Sequence, residues 1–536
     1  MQKTSGDPNR QMFRLYRFRQ IGSWPKKSML MTFFLLLTFL PVTGILLPIF
    51  CITGCTGNDN VLKNSEIVND GKTVNTKALQ KAIDECSKNG GGIVSLPEGK
   101  YLTGTIILKN NVNLHLEKGA VILGSREIID YPDKGRRKAL IFAENAKNIA
   151  ITGEGEVNGN GDAFTRENNA PNRPTLILFF DCEKVNISDV KMSSSGFWTS
   201  RFVRCDGVNI SHVNVEGHAN WNNDGFDIES KNVIVSDCVL DTDDDAICLK
   251  SEDPDYVVEN ITVTNCKLAS NCNFIKFGTA SAGGFRNVRI SNCTLYKCSK
   301  SVFRYWEQTV PGVTNPITGI AGIALEVVDG GFMEDVTISD IIMEDVQTPI
   351  FIRLGRRKNS DNSYLKDISI KNITASSVSY IASSITGVPD LRVENVEISD
   401  IDLKLKAGGK ASDTMAEVPE AENQYPENRM FGVMLPAYGF YIRHADNILF
   451  KNIKLSAVNG IEERHAVVAD DVTSLKIENS TIQSPDGNKA VFLLKSCEKI
   501  NLSRNTYSNP SSVIVEKENT PDSEVDDERK TTVTLR

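Results

Sequence analysis

Four aspartates fall within five residues in DTDDDAICLKS (241–251): Asp241, Asp243, Asp244 and Asp245. Shortly before it, WNNDGFDIES (221–230) carries Asp224 behind Asn222 and Asn223. Carboxylates held close together repel one another, which drives their pKa values apart and leaves one protonated beside ionised neighbours. A single-displacement glycosidase needs that division: an acid protonates the leaving oxygen while a base activates water on the opposite face. The same residue types suit two other ends. Clustered carboxylates bind Ca²⁺, and an aspartate run can be a solvated turn or a structural stack. On residues alone all three readings stand.

These residues must be positioned by whatever elements surround them, and a short repeated phrase says what those are. It recurs as KNIAITG, EKVNISDVKM, DGVNISHVNV, KNVIVSDCVL, ENITVTNCKL, RNVRISNCTL, EDVTISDIIM, KDISIKNITA, DNILFKNIKL and EKINLSRNTY. Its first aliphatic residues include Val185, Val208, Val233, Ile261 and Val288, spaced by 23, 25, 28 and 27. Self-similarity at this period marks a solenoid. Each copy alternates apolar and polar residues and is rich in Val and Ile, so each predicts a short half-buried strand. A lone strand cannot bury its face, whereas stacked coils share a continuous core. The expected fold is all-β: a single-stranded right-handed parallel β-helix. A short helix over 75–89, ended by Gly90-Gly91-Gly92, caps its N-terminal end.

In such a stack, residues one coil apart sit roughly 5 Å apart, the spacing of neighbouring strands. Matching DIES with ICLKS places Asp224 beside Asp244 and Asp245, so three carboxylates converge. Cys238, Cys266 and Cys293 recur at one repeat position, which predicts a buried ladder of small apolar side chains rather than disulfides. Asn186-Ile-Ser and Asn209-Ile-Ser read as glycosylation sequons, but on strands they are by-products of the repeat.

The chain has 536 residues, 40% hydrophobic and 24% charged, with a formal net charge of -8 and 12 cysteines. Dispersed Lys and Arg leave no footprint for nucleic acid, and the cysteines are too dilute for a disulfide scaffold. Residues 1–55 read as an export segment: Arg17, Arg19, Lys26 and Lys27 precede an apolar run ending in Ile52-Thr53-Gly54-Cys55. That ending resembles the bacterial lipoprotein cleavage box, which implies lipidation at Cys55 and an exported outer-membrane lipoprotein, periplasmic or cell-surface; a single transmembrane anchor is the alternative. A tether follows at 56–65, then the β-helix at 66–515 and a charged tail at 516–536. Long stretches without the repeat lie at 303–320 and 405–435, and such loops in a compact fold are commonly functional or disordered.

The text over roughly 65–510 resembles glycoside hydrolase family 28, the polygalacturonase and rhamnogalacturonase family. The carriers are NDGKTVNTKALQKAIDECSKNGGGIVSLPEGKYLTGTIILKNNVNLHLEKGAVILGS, SGFW, NNDGFDI (Asn223 where the family has Thr) and DDDAICLKS (Asp243 where Gly is common). The resemblance implies hydrolysis of pectic chains with inversion, with Asp244 as general acid and Asp224 and Asp245 holding and deprotonating the water. It implies substrate contact at Asn222, no cofactor and no metal. A monomer tethered to a membrane by its N-terminus is expected. A calcium-dependent lyase on the same fold and a non-catalytic glycan-binding β-helix are the alternatives.

Two departures bear on substrate. Asn273 stands where polygalacturonases carry a histidine, and Ala324 and Glu326 stand where the family's Arg-x-Lys pair binds galacturonate. Glu326 would repel a uronate, or hydrogen-bond sugar hydroxyls instead. Strand alternation offers Lys250, Lys276 and Arg353 as substitute cations, which would suit a chain alternating uronate with a neutral sugar. Trp198, Trp221, Trp306, Tyr438 and Tyr441 are candidates for stacking platforms or for core.

Overall fold

The computed structural model describes residues 67–522, apart from 134–137, 166–171, 305, 307–308, 359–361, 488 and 509–512, together with 525–527 and 532–534. Cys55, the export segment and the tether lie outside the described residues. No helix among the described residues is long and apolar enough to cross a membrane.

The repeat phrase folds as its alternation requires. All named strands join one parallel ladder in which each pairs with the strand one coil away, and the architecture is a right-handed parallel β-helix. One column of the phrase runs Ile149, Val185, Val208, Val233, Ile261, Val288, Val336, Ile368, Val396 and Ile448 in register. Every one of these side chains is at most 2% exposed. The polar residues of the phrase serve the corners. Asn232, Asn260 and Asn287 adopt φ of 55°, 60° and 50°, the left-handed region that Asn tolerates better than most residues. Their amides stack from coil to coil, Asn260 onto Asn232 at 2.9 Å and Asn287 onto Asn260 at 2.7 Å. A second corner repeats the device, with Asn265 on Asp237 at 3.2 Å and Asn292 on Asn265 at 2.7 Å. The phrase is therefore corner, inward-alternating strand, corner.

Cys238, Cys266 and Cys293 are buried and unbridged, as are the other seven described cysteines. Asn186 and Asn209 sit on strands, and Asn209 donates to Asn186 at 2.8 Å. The helix spans Thr76–Lys88 and buries Leu79, Ala82, Ile83 and Cys86 against the first coils. Its exit needs glycine: at Gly91, φ is +103° and a Cβ would lie 2.3 Å from that of Asn111. The C-terminal end differs from expectation. The strand Val515–Glu518 crosses the border into the residues read as a charged tail, and within them Val525–Asp527 and Thr532–Thr534 form strands that extend the stack, because coil pairing needs a backbone and not an apolar phrase.

Candidate active site

Strands Phe226–Ser236, Ile247–Ser251, Asn273–Ser281, Ala321–Val327 and Thr348–Leu354 lie side by side. Ile228, Leu249, Phe277, Leu325 and Ile352 share a register and point into the core, so their flanking residues face the opposite way. The two acidic stretches meet at the entry to these strands. The amide of Gly225 donates to the carbonyl of Asp245 at 2.8 Å, and that of Ala246 to Asn273 at 2.9 Å. Gly225 is required there, since a Cβ would lie 2.4 Å from the carbonyl oxygen of Ala246. Asp224, Asp245 and Asn273 thereby become neighbours on successive coils.

Asp224, Asp244 and Asp245 line a single cleft of about 440 Å³ together with Asn222, Lys250, Asn273 and Lys276. Asp245 is the most heavily partnered. Its Oδ1 accepts from the amide and side chain of Asn273 at 3.1 and 2.7 Å, and Lys276 Nζ lies 3.3 Å from Oδ2. Burial alone would raise its pKa, but the Lys276 and Lys250 ammoniums and the Asn273 hydrogen bond hold it well below the usual carboxylate range. Asp224 goes the other way. Burial, then the charges of Asp227, Asp244 and Asp245, push it well above its ordinary value despite Lys250 at 3.4 Å. Asp224 Oδ1 is buried and meets no protein donor. Asp244 Oδ2 accepts from Arg304 Nη2 at 2.7 Å and from Asn222 at 3.4 Å, and its Oδ1 from the amide of Asp245 at 3.0 Å. The division among three carboxylates is thus present. The high proton affinity sits on Asp224, while Asp244 is ion-paired to Arg304.

Sequence reasoning placed Lys250 and Lys276 on the cleft face, and both lie there. Lys250 Nζ bridges Asp224 and Asp227 (3.4 and 3.0 Å). Asn222 and Asn273 touch Asp244 and Asp245. Glu326 sits behind Lys276 and is 1% exposed. Burial pushes its carboxyl up to about 7, with Lys276 opposing, and its Oε2 accepts from Thr279 at 3.2 Å. It faces a lysine and a hydroxyl rather than the cleft.

Arg353 requires a correction. It does point outward, but the 405–435 segment covers it: it is 1% exposed and donates to the carbonyls of Gly387 at 2.8 Å, Glu420 at 2.8 Å and Ala421 at 3.3 Å. Outward on a strand is not exposed when a long loop lies across that face. Tyr438 and Tyr441 likewise are core, at 3% and 2% exposure. Trp198 and Trp306 do line the cleft, and Trp221 packs against Phe303 at 5.3 Å between ring centres.

Four contributors were missed. Arg304, Arg357 and Tyr425 reach the cleft from irregular segments, where strand periodicity gives no register. Asp227, the last acid of NNDGFDI, is fully buried on Lys250; the motif held it, but its strand position hid its partner. The described residues hold one group of potential metal ligands, Asp244, Asp245 and Cys272, within 4.8 Å of one another. It suits calcium poorly, because Ca²⁺ takes six to eight oxygen ligands and here a thiol replaces one while Arg304 and Lys276 already face the carboxylates.

Acidic groups of opposed proton affinity on neighbouring coils, flanked by tryptophans, are the equipment of a polysaccharide hydrolase built on a parallel β-helix. Comparison with known proteins narrows that class: the chain belongs to glycosyl hydrolases family 28, whose profile matches residues 86–424, and it hydrolyses O-glycosyl bonds. It is 25% identical over 385 residues to a probable polygalacturonase of Vitis vinifera, covering 64% of this chain and 74% of the relative. It is 39% identical over 109 residues to an exo-poly-alpha-D-galacturonosidase of Dickeya chrysanthemi, covering 17% of this chain and 18% of the relative. The solved exopolygalacturonase of Thermotoga maritima superposes with a TM-score of 0.55 at 21% identity, covering 72% of this chain and 89% of that one.

Proposed function

We propose that this enzyme hydrolyses a uronate-containing pectic chain by single displacement, with Asp244 delivering the proton to the leaving oxygen. Asp245, held ionised by Lys276, is the base, and Asp224 shares the attacking water through its unpartnered oxygen. The observation that carries this reading is the convergence of Asp224, Asp244 and Asp245 from adjacent coils on one cleft. The substrate is a rhamnogalacturonan-type or decorated chain rather than plain polygalacturonate. Asn273 and Glu326 replace the family's usual histidine and one of its cations, so uronate recognition falls to Arg304, which lines the same cleft. The relatives named above act on galacturonate chains, which makes polygalacturonate the competing substrate.

Action is from a chain end. Tyr425, Pro426 and Glu427 stand across one side of the cleft, on a segment fastened along the outer face by Arg353, by Arg356 at 2.9 Å from the Glu422 carbonyl, and by Asn428 at 3.0 Å from Thr348. The protein works as a monomer, exported and anchored by a lipid on Cys55; mass spectrometry of the membrane-fraction protein, with Cys55→Ser as comparison, tests the anchor.

The test of function uses residues 56–536, with Ca²⁺ and in parallel with EDTA, on polygalacturonate, rhamnogalacturonan I and rhamnogalacturonan II fragments. New reducing ends without ultraviolet absorbance, small products from the start and a slow fall in viscosity are expected. Absorbing products that vanish in EDTA would mean a calcium-dependent lyase. Rapid loss of viscosity would mean internal cleavage.

A further inference from the structure

Two aspartates of the 241–245 run have no part in the hydrolytic scheme, and neither is a solvated turn. Asp241 accepts from His218 Nε2 at 2.9 Å and from the amide of Ser299 at 3.2 and 3.3 Å. Asp243, 3% exposed, takes Ser301 Oγ on one oxygen at 2.7 Å and the amides of Val302 and Phe303 on the other at 3.0 and 3.1 Å. One coil on, Asn271 donates to Ser301 Oγ and to the carbonyl of Arg304, both at 2.7 Å. A segment some sixty residues downstream is thus clamped onto the turn that carries Asp244 and Asp245, and it delivers Arg304 to the cleft. Arg304 Nη1 reaches the Asp243 carbonyl at 3.3 Å and Nη2 the Asp244 carboxylate at 2.7 Å. A buried carboxylate accepting several backbone amides is a rigid anchor, because each amide would otherwise lose its hydrogen bond.

We propose that Arg304 is the receptor for a substrate carboxylate, that a bound uronate takes it from Asp244, and that Asp244 accepts a proton as it is released. Asp243 is the positioning residue that holds Arg304 in place. This rests on the hydrolase reading given above.

The neighbouring cations are more heavily engaged. Lys250 is divided between Asp224 and Asp227, and Lys276 lies on Asp245. Arg357 grips Asp329 through two nitrogens at 2.5 and 2.8 Å. Arg304 meets its carboxylate through one nitrogen, leaving its planar fork able to take a second carboxylate, the geometry for which guanidinium is suited. An ion-paired Asp244 has no proton to give, so the pair as it stands is a resting arrangement. The charged and titratable groups around Asp244 are Asp224 from the preceding coil, Asp245 and Lys250 on its own coil, Cys272 and Lys276 from the next, and Arg304 from the segment. When a uronate occupies Arg304, the negative charges around Asp244 remain while its cation is shared away, and Asp244 takes one proton from solvent. Arg304 stays charged throughout. On cleavage Asp244 passes that proton to the leaving oxygen, the base takes one from water, and release of that proton from the base to solvent restores the start. A neutral sugar in the same place leaves the ion pair intact and the acid unloaded, so uronate is selected through the proton as well as through affinity.

Titration calorimetry at one pH in two buffers of different ionisation enthalpy counts protons taken up on binding. Galacturonic acid is the probe and its methyl ester the control. Net proton uptake with the acid and none with the ester is expected in the wild type, with uptake abolished in Asp244→Asn. Arg304→Gln should bind the acid weakly and lose roughly 10- to 100-fold in kcat/KM on uronate substrates, the usual worth of a charge-assisted hydrogen bond; Arg304→Lys should recover part. Asp243→Gly should lower kcat/KM in the same direction, with a melting transition that stays cooperative showing that the coils remain folded. Uronate binding without proton uptake, or an Arg304→Gln enzyme as active as wild type, overturns the proposal while leaving the hydrolase reading intact. An Asp244→Asn enzyme of full activity would instead remove the hydrolase reading itself.

Discussion

The three cleft aspartates differ by their partners rather than by residue type. Asp244→Asn removes the proton donor without changing shape, so turnover should fall by roughly 10²–10⁴-fold with the melting temperature nearly unchanged. Enzyme assays on the best pectic substrate, with calorimetric melting alongside, check both halves. Glu326 permits a prediction in the other currency, stability. A carboxyl whose folded pKa is raised contributes stability that is fully present below its unfolded value and is lost as pH rises through the folded value. For Glu326 that window runs from its ordinary 4.5 up to about 7. Glu326→Gln cannot ionise, so it should lose less melting temperature than wild type between pH 5 and pH 8. Parallel curves for the two proteins would show that Glu326 does not carry this titration.

At the scale of elements, the 405–435 segment is held by a buried arginine whose guanidinium satisfies three carbonyls. Burial lowers the Arg353 pKa to about 10, so it remains charged at neutral pH. Arg353→Leu strands those carbonyls, at about 1–3 kcal/mol for each group left buried without a donor. The expected outcome is rapid proteolysis within 410–430, a coil stack that still melts cooperatively, and products that lengthen as the wall loosens. Digestion that spreads through the whole chain would mean the arginine supports the coils themselves.

Arg353 and Lys276 both face outward on their strands, and only Lys276 reaches the cleft, which shows what a sequence can express. The repeat states the register of each strand, so it also states which side chains face outward; it places Asp224 beside Asp244 and Asp245 from spacing alone. It says nothing about what lies over that outer face. Arg304, Arg357 and Tyr425 belong to segments without period, whose positions are set by contacts with residues far away in the chain, such as Asp243 with Phe303. Four adjacent aspartates raised the right question, but their separate duties depend on partners that are legible only in three dimensions.

For the whole molecule, charge matters as much as shape. The chain carries a formal net charge of -8, and seven of its Lys and Arg residues against one Asp precede Cys55, so the portion from Cys55 onward is more negative still. A polyuronate must approach a repelling surface to reach cations confined to one cleft. Salt screens such long-range repulsion over a Debye length of about 10 Å at 0.1 M, whereas the partly buried ion pairs are screened less. Accordingly, kcat/KM on a long polyanionic substrate should rise as ionic strength increases from about 10 to 100 mM, a range over which that screening develops. A neutral or fully esterified chain should show no such rise. A steady fall with salt for the polyanion alone would place the dominant interaction at the cleft cations.

The cysteine ladder has a use that lies outside catalysis. Cys238, Cys266 and Cys293 occupy equivalent places on successive coils, each sealed from solvent and each unbridged. A thiol reagent can meet one of them when its own coil opens, so the pace of labelling at each position is a local clock. Read by peptide mass, the row becomes a gauge of how opening spreads along the stack, from one turn to the next, without adding any probe to the protein.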